Sequence, residues 1–150
     1  FSHCLNVGLI CYIFANWPKL SQEEVELATA CGLLHDIGKP FSYQDDEVRH
    51  FHGHADVSSN MSVGILNRLG FNSEEIDELT YLIREHDTLI IKEEIESNKE
   101  LCIKRFSIQF CDALAHNPTK LKKRIEYLVY LSNMLGLDDD THYVKMLVKE

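Results

Sequence analysis

Helix-start and helix-stop signals divide this chain into a series of short segments, and this division most limits the folds open to it. Ser21 with Glu24, and Asn72 with Glu75, have the spacing of capping boxes, which begin helices. Gly70 follows an apolar run at three- and four-residue spacing, which is where a helix ends. The sequence therefore predicts an all-α fold, a bundle of six to seven helices with its functional site between helices.

The composition agrees with a single globular domain. Hydrophobic residues make up 45% of the 150 residues, which is enough for a substantial core, and the low counts of 7 Gly and 3 Pro favour helix. No internal repeat, low-complexity segment or domain boundary interrupts the pattern. We predict one domain over residues 1–150.

The charge of the chain limits its partners. A formal net charge of −9 disfavours broad electrostatic contact with nucleic acid. One local run could form a basic patch, but such runs are more often a solvated helix face, which is our interpretation: Lys120, Lys122, Lys123 and Arg124. No stretch reaches the about 18 apolar residues of a membrane helix. The 5 Cys, without a C-x-x-C pair, are interpreted as small core residues in a reducing compartment, so we predict a cytoplasmic protein.

An apolar helix ends with an imidazole, a carboxylate and an ammonium in the run LLHDIGKP, residues 33–40. We expect such an ending where something binds. His35 and Asp36 offer two kinds of metal ligand, and Lys39 could contact an anion or instead satisfy the last helix carbonyls. Gly38, with a proline behind it, is predicted to stop the helix as a C-terminal glycine.

Ionisable residues lie on the apolar faces of four separate predicted helices: His3, His35, His86 and Asp112. A buried carboxylate is costly unless it is paired or bound to a metal, and helical bundles build metal sites from side chains on facing helices. A single core histidine is more often a hydrogen-bonded structural residue. On spacing alone, a metal site between helices and a plain helical scaffold both stay open. Mixed nitrogen and oxygen ligands suit Mn²⁺, Fe²⁺, Co²⁺, Ni²⁺ or Zn²⁺, with Mg²⁺ as a further candidate.

A His-Asp pair with an earlier His and a later Asp resembles the signature of the HD superfamily of metal-dependent phosphohydrolases. Beside the early His3, four motifs carry this resemblance: LLHDIGKP at 33–40, FHGH at 51–54, IREHD at 83–87 and DALAHN at 112–117. The ordered set spans nearly the whole chain and is similar to the HD domain of bacterial tRNA nucleotidyltransferases, the CCA-adding enzymes. Their nucleotidyltransferase core is absent here, so the resemblance implies a stand-alone or excised HD domain.

The resemblance implies a role for each matching position. A first metal would be held by four residues: His3, His35, Asp36 and Asp112. A second metal would be held by His54 and His86, with Asp36 bridging both ions. Asp36 and Lys39 are the catalytic candidates, because Lys39 matches a lysine that contacts the substrate phosphate.

The implied activity is hydrolysis of a phosphomonoester or phosphodiester, derived from a nucleotide, by attack of a metal-bound hydroxide. Lys39 would stabilise negative charge on the transferring group. The alternative is a metal- and nucleotide-binding sensor or accessory domain with little turnover. In both cases the partner is a small phosphorylated molecule.

For several other polar residues, a functional and an ordinary structural interpretation both stay open. Residues 41–54 lack a helical period and are predicted to form a loop across the mouth of the site, where two histidines either line the pocket or are exposed: His50 and His52. Asp87 could orient a neighbouring ligand or be an ordinary helix-end carboxylate. His116 lies one turn beyond Asp112 and could donate a hydrogen bond to it.

Overall fold

The computed structural model describes residues 2–16, 21–42 and 53–137. Within these ranges the chain forms seven α-helices and one 3₁₀ turn, and no strand, which confirms the all-α prediction. The helices are α1 (Ser2–Asn16), α2 (Gln22–Leu34), α3 (His54–Arg68), α4 (Ser73–Arg84), α5 (Lys92–Ser97), α6 (Lys99–Ala115) and α7 (Pro118–Leu135), with the 3₁₀ turn at Lys39–Phe41. None of these helices is both long and apolar enough to cross a membrane.

The predicted helix starts at Ser21 and Asn72 and the predicted end at Gly70 are confirmed by local geometry. The Ser21 and Asn72 side chains each accept a hydrogen bond from the backbone N–H three residues later. The glutamate at that later position accepts, through its side chain, from the backbone N–H of Ser21 or Asn72. Gly70 and Gly136 follow α3 and α7 with φ of 86° and 72°, a left-handed conformation that glycine adopts without strain. Most of the loop predicted over 41–54, with His50 and His52, lies outside the described residues.

The core consists of two hydrophobic clusters, and α6 contributes to both of them. Cys111 packs with residues of α1, α2 and α4, whereas Phe106 and Phe110 pack with Leu128 and Leu131 of α7. All five cysteines are free thiols, and four of them are buried. For those four, the prediction that they are small core residues is confirmed. Because α6 lies between both clusters, it fixes the position of any side chain that it carries.

Two glycines bring α1 and α2 unusually close together. A Cβ on Gly8 would lie 2.6 Å from the Leu33 side chain, and a Cβ on Gly32 would lie 2.8 Å from Cys11 Sγ and 3.1 Å from the Val7 carbonyl. Residues without a side chain therefore permit this approach. It places the imidazole at the start of α1 beside the end of α2.

Gly38 does not act as the predicted C-terminal glycine, and that prediction is wrong. The helix already ends at Leu34, and Gly38 has a φ of −80°, which any residue can adopt. Space is the actual constraint, because a Cβ on Gly38 would lie 2.6 Å from the Ser58 backbone nitrogen and 2.7 Å from the His54 carbonyl. The Gly38 N–H also donates to Ser58 Oγ at 2.8 Å, which docks α3 against the end of α2.

We expect Gly38→Ala to lower the free energy of unfolding by about 1–3 kcal/mol, because the added methyl group overlaps the backbone of α3. Gly64→Ala is the matched control. Gly64 lies inside α3 with nothing within 4 Å of an added Cβ, so alanine there should stabilise by about 0.5–1 kcal/mol. Urea unfolding measures both changes. A Gly38→Ala variant as stable as the wild type would contradict the steric argument.

Candidate metal centre

Asp36 lies at the centre of the polar cluster and presents its two oxygens to different groups. Its Oδ2 accepts from the Lys39 ammonium and lies 3.2 Å from His35 Nε2. Its Oδ1 lies 3.3 Å from His54 Nε2 and 3.5 Å from His86 Nε2. The Asp36 side chain is only 3% exposed. One buried carboxylate thus borders two sets of histidines.

The first set joins α1, the end of α2 and α6. Asp112 Oδ1 lies 2.8 Å from His3 Nε2 and 3.4 Å from His35 Nε2. One ligand atom from each of four residues lies within 4.8 Å of the others: His3, His35, Asp36 and Asp112. These side chains come from three helices or their ends, as bundle metal sites require.

The second set joins the start of α3 and the turn after α4. His54 Nε2 and His86 Nε2 are 3.4 Å apart, and both lie beside Asp36 Oδ1. One ligand atom each from Asp36, His54 and His86 falls within 4.8 Å of the others. The structure therefore brings together all six residues that the sequence singled out for two metals.

The hydrogen bonds of two histidines aim their Nε2 atoms into the cluster. His35 Nδ1 lies 2.7 Å from the Gly32 carbonyl, and His86 Nδ1 lies 2.6 Å from the Ile83 carbonyl. Carbonyl oxygens only accept, so each Nδ1 donates, and the neutral ring then has its lone pair on Nε2. His35 Nε2 and Asp36 Oδ1 are buried and have no hydrogen-bond partner. Buried polar atoms without partners are costly, and a cation bound within each set would satisfy the atom that faces that set.

The local electrostatics favour ionised carboxylates. Burial raises the pKa of Asp36 and of Asp112, but the adjacent imidazoles, joined at Asp112 by the Arg124 guanidinium, outweigh it and hold both pKa values well below the usual range. Burial lowers the pKa of His35, but the carboxylates of Asp112 and Asp36 outweigh it and raise that pKa to about 10. Without a cation, the negative charge of Asp36 and Asp112 therefore favours the protonated form of the His35 imidazole.

Three basic residues of α7 border the site, and two of them, Lys120 and Lys123, are exposed as predicted for a solvated helix face, whereas Arg124 is half-buried. Arg124 Nη1 donates to Asp112 Oδ2 at 2.6 Å. Lys120 and Lys123 line a cavity of 280 Å³ together with Arg124 and Asp112. Lys122 is also exposed, but it lines none of the cavities at the cluster. The spacing 120, 123 and 124 marks one helix face and was the available signal.

Asp87 and His116 both contact residues of the cluster, which favours the functional interpretation of each. Asp87 Oδ2 lies 3.0 Å from His54 Nε2 and Oδ1 lies 3.4 Å from His86 Nε2, so this carboxylate can orient both rings. His116 Nε2 lies 3.5 Å from Asp112 Oδ2, and its ring stacks on that of His3 with centroids 4.6 Å apart. Both residues touch the proposed ligands from the outside.

A buried polar network of α6 holds the segment that carries His86. The Thr88 carbonyl accepts from Arg105 Nη2 at 3.1 Å and from Gln109 Nε2 at 2.8 Å. Arg105 is 1% exposed and also pairs with Glu94. These bonds tie the turn after α4 to the core helix, so the His86 ring sits on a fixed backbone.

The fold and the donor set are those of a helical metal-binding domain. A protein-family model described as "HD domain" matches residues 1–124. The chain belongs to the HD domain family, whose members bind divalent metals and are typically metal-dependent hydrolases. No curated protein and no solved structure matches the chain significantly.

We expect divalent metal binding at neutral pH to release at least one proton. His35 has a pKa of about 10 and is protonated at neutral pH, whereas a metal binds only the neutral ring. Affinity should therefore rise with pH, by about tenfold per pH unit for each proton displaced. Calorimetric titration of the protein with Mn²⁺ in two buffers of different ionisation enthalpy counts the protons. Equal binding enthalpies in both buffers would contradict this expectation.

Proposed function

We propose that the chain is a metal-dependent phosphohydrolase, a single HD domain over residues 1–150 that cleaves a phosphomonoester or phosphodiester derived from a nucleotide. One observation carries this proposal. The buried Asp36 carboxylate presents one oxygen to each of two histidine sets, and both its Oδ1 and His35 Nε2 are buried without a hydrogen-bond partner. A carboxylate shared in this way suits two neighbouring cations, the arrangement that two-metal phosphoryl-transfer sites use.

The proposed ligands follow the two sets. The first ion would be held by His3, His35, Asp36 and Asp112, and the second by Asp36, His54 and His86. Nitrogen and oxygen donors suit Mn²⁺, Fe²⁺, Co²⁺, Ni²⁺ or Zn²⁺, and also admit Mg²⁺. When bound, such ions lower the pKa of a water and polarise the phosphoryl oxygens, which supplies a nucleophile at neutral pH.

Lys39 is the proposed phosphate-contacting residue. Its ammonium pairs with Asp36 Oδ2, while its side chain is 33% exposed and lines two cavities that meet at Asp36. An ammonium at this edge can donate to a phosphate oxygen and stabilise the negative charge that accumulates during transfer. Lys39 thus connects the buried cluster to the open side where a substrate would enter.

The proposed substrate is a small nucleotide. A cavity of 770 Å³ adjoins the cluster at His3, Asp36 and Lys39, and its wall is partly apolar: Leu5, Leu33, Ile37 and Pro40. Such a surface suits the nucleoside part of a nucleotide while the phosphate faces Asp36. The motif similarity to the HD domain of CCA-adding enzymes supports the same substrate class. The unpaired cysteines suit a reducing compartment, so we place the enzyme in the cytoplasm.

Metal content and phosphate release test the proposal together. We expect the wild type, purified without chelator or reloaded with Mn²⁺, to hold close to two ions per chain. It should also release phosphate from mononucleotides or 2′,3′-cyclic nucleotides. Asp36→Ala should lose at least one ion and more than about a hundredfold of the activity, since even outer partners of metal ligands contribute about 10- to 100-fold.

Asp77→Ala is the matched control, because Asp77 is an exposed carboxylate on α4, outside the cluster. It should keep both the metal and the activity. A wild type that takes up no metal at neutral pH would refute the proposal. A wild type that holds two ions but releases no phosphate from these nucleotides would favour a sensor or accessory domain instead.

A further inference from the structure

We propose that one face of α7 forms an anion site beside the metal cluster and binds a second phosphate group of the substrate. The face consists of Lys120, Lys123 and Arg124, and we call it the α7 basic face. This inference rests on the proposed function and narrows it. The substrate would be a small molecule with two phosphate groups, one at Asp36 and Lys39 and the other at the α7 basic face.

The position of the α7 basic face next to the cluster is the first argument. Residues three and four apart in a helix project to the same side, so the three cations point into one cleft. They line the cavity of 280 Å³ together with Asp36 and Asp112. Lys123 and Arg124 also line an adjoining cavity of 310 Å³ that includes the Tyr127 side chain. The cleft therefore continues along α7 from the cluster.

The charge balance is the second argument. The chain has a net charge of −9, yet three cations of α7 and Lys39 converge on one cavity. Within the described part of the chain, neither Lys120 nor Lys123 forms an ion pair. The carboxylates in the cavity wall are already engaged: Asp36 with Lys39 and histidines, Asp112 with Arg124, and Asp87 with His54 and His86. Unpaired cations in such a cleft attract an anion.

The anchoring of Arg124 is the third argument. Its Nη1 donates to Asp112 Oδ2, which fixes a planar group with five N–H donors at the edge of the cluster. A guanidinium held in this way is suited to a phosphate, because its remaining donors match phosphate oxygens in pairs. Lys39 donates to Asp36 Oδ2 whereas Arg124 donates to Asp112 Oδ2, so these cations are held on different carboxylates and can serve two separate phosphate groups.

The test compares one phosphate group with two. Calorimetry on the Mn²⁺-loaded protein would measure the binding of adenosine 3′-monophosphate, adenosine 5′-monophosphate and adenosine 3′,5′-bisphosphate, with phosphate release assayed in the same samples. We expect the bisphosphate to bind at least about tenfold tighter than either monophosphate, since two exposed charge contacts together contribute about that much. The double variant K120Q/K123Q should lose this preference.

Lys122→Gln is the control, because it removes one positive charge from an exposed position of the same helix that does not line the cleft. It should keep the preference for the bisphosphate. Arg124 is left unchanged, since it contacts a proposed metal ligand. Circular dichroism and metal content should be the same in all these proteins, which separates loss of the anion site from loss of the fold.

The outcomes distinguish this inference from the proposed function. Metal uptake and phosphate release without a preference for the bisphosphate would overturn the anion site and leave the hydrolase standing. A preference that survives in K120Q/K123Q would also overturn it. A protein with neither metal nor phosphate release would refute the proposed function, and with it the role of α7 in a substrate site.

Discussion

The burial of the Asp36 carboxylate makes the strongest demand on this bundle. An ionised carboxylate with 3% of its side chain exposed is strongly unfavourable unless opposite charge lies beside it. Lys39 and the surrounding imidazoles supply that charge or its hydrogen bonds. They reach Asp36 only because α1, α3 and the turn after α4 all meet the end of α2. Gly32 and Gly38 make this meeting sterically feasible, since a side chain at either position would push a neighbouring helix away.

Helix α6 couples the stability of the core to the geometry of the site. It packs into both hydrophobic clusters and carries Asp112 directly after the buried Cys111. Through Arg105 and Gln109 it also holds the Thr88 carbonyl, two residues beyond His86. The positions of two proposed ligands thus depend on one well-packed helix, which is how a rigid scaffold keeps ligand atoms within coordination distance.

The surroundings of the cluster are different on its two sides. Toward α1 and the end of α2 the wall is partly apolar, with Leu5, Leu33 and Ile37. Toward α7 it is basic, in a chain that is acidic as a whole. A molecule with an apolar ring system and phosphate groups matches both sides, and this pairing underlies the proposed substrate class.

Local signals in the sequence determined the helix boundaries and the chemistry of the cluster. The cap at Asn72 and the stop at Gly70 need only neighbouring residues, so they are readable from the chain. The His35–Asp36 pair was equally visible, because ionisable residues on an apolar helix face are costly and imply partners.

Only the tertiary structure decided which side chains from distant segments surround that pair. Arg124 is 12 residues from Asp112 along the chain, and its contact with Oδ2 depends on how α7 packs back on α6. Gly38 was misinterpreted for the same reason, since the backbone of α3 that restricts it lies 20 residues further along the chain. Helix periodicity specifies which face is buried but not which helix covers it. That choice follows from side-chain packing between elements, which depends on shape and space in three dimensions.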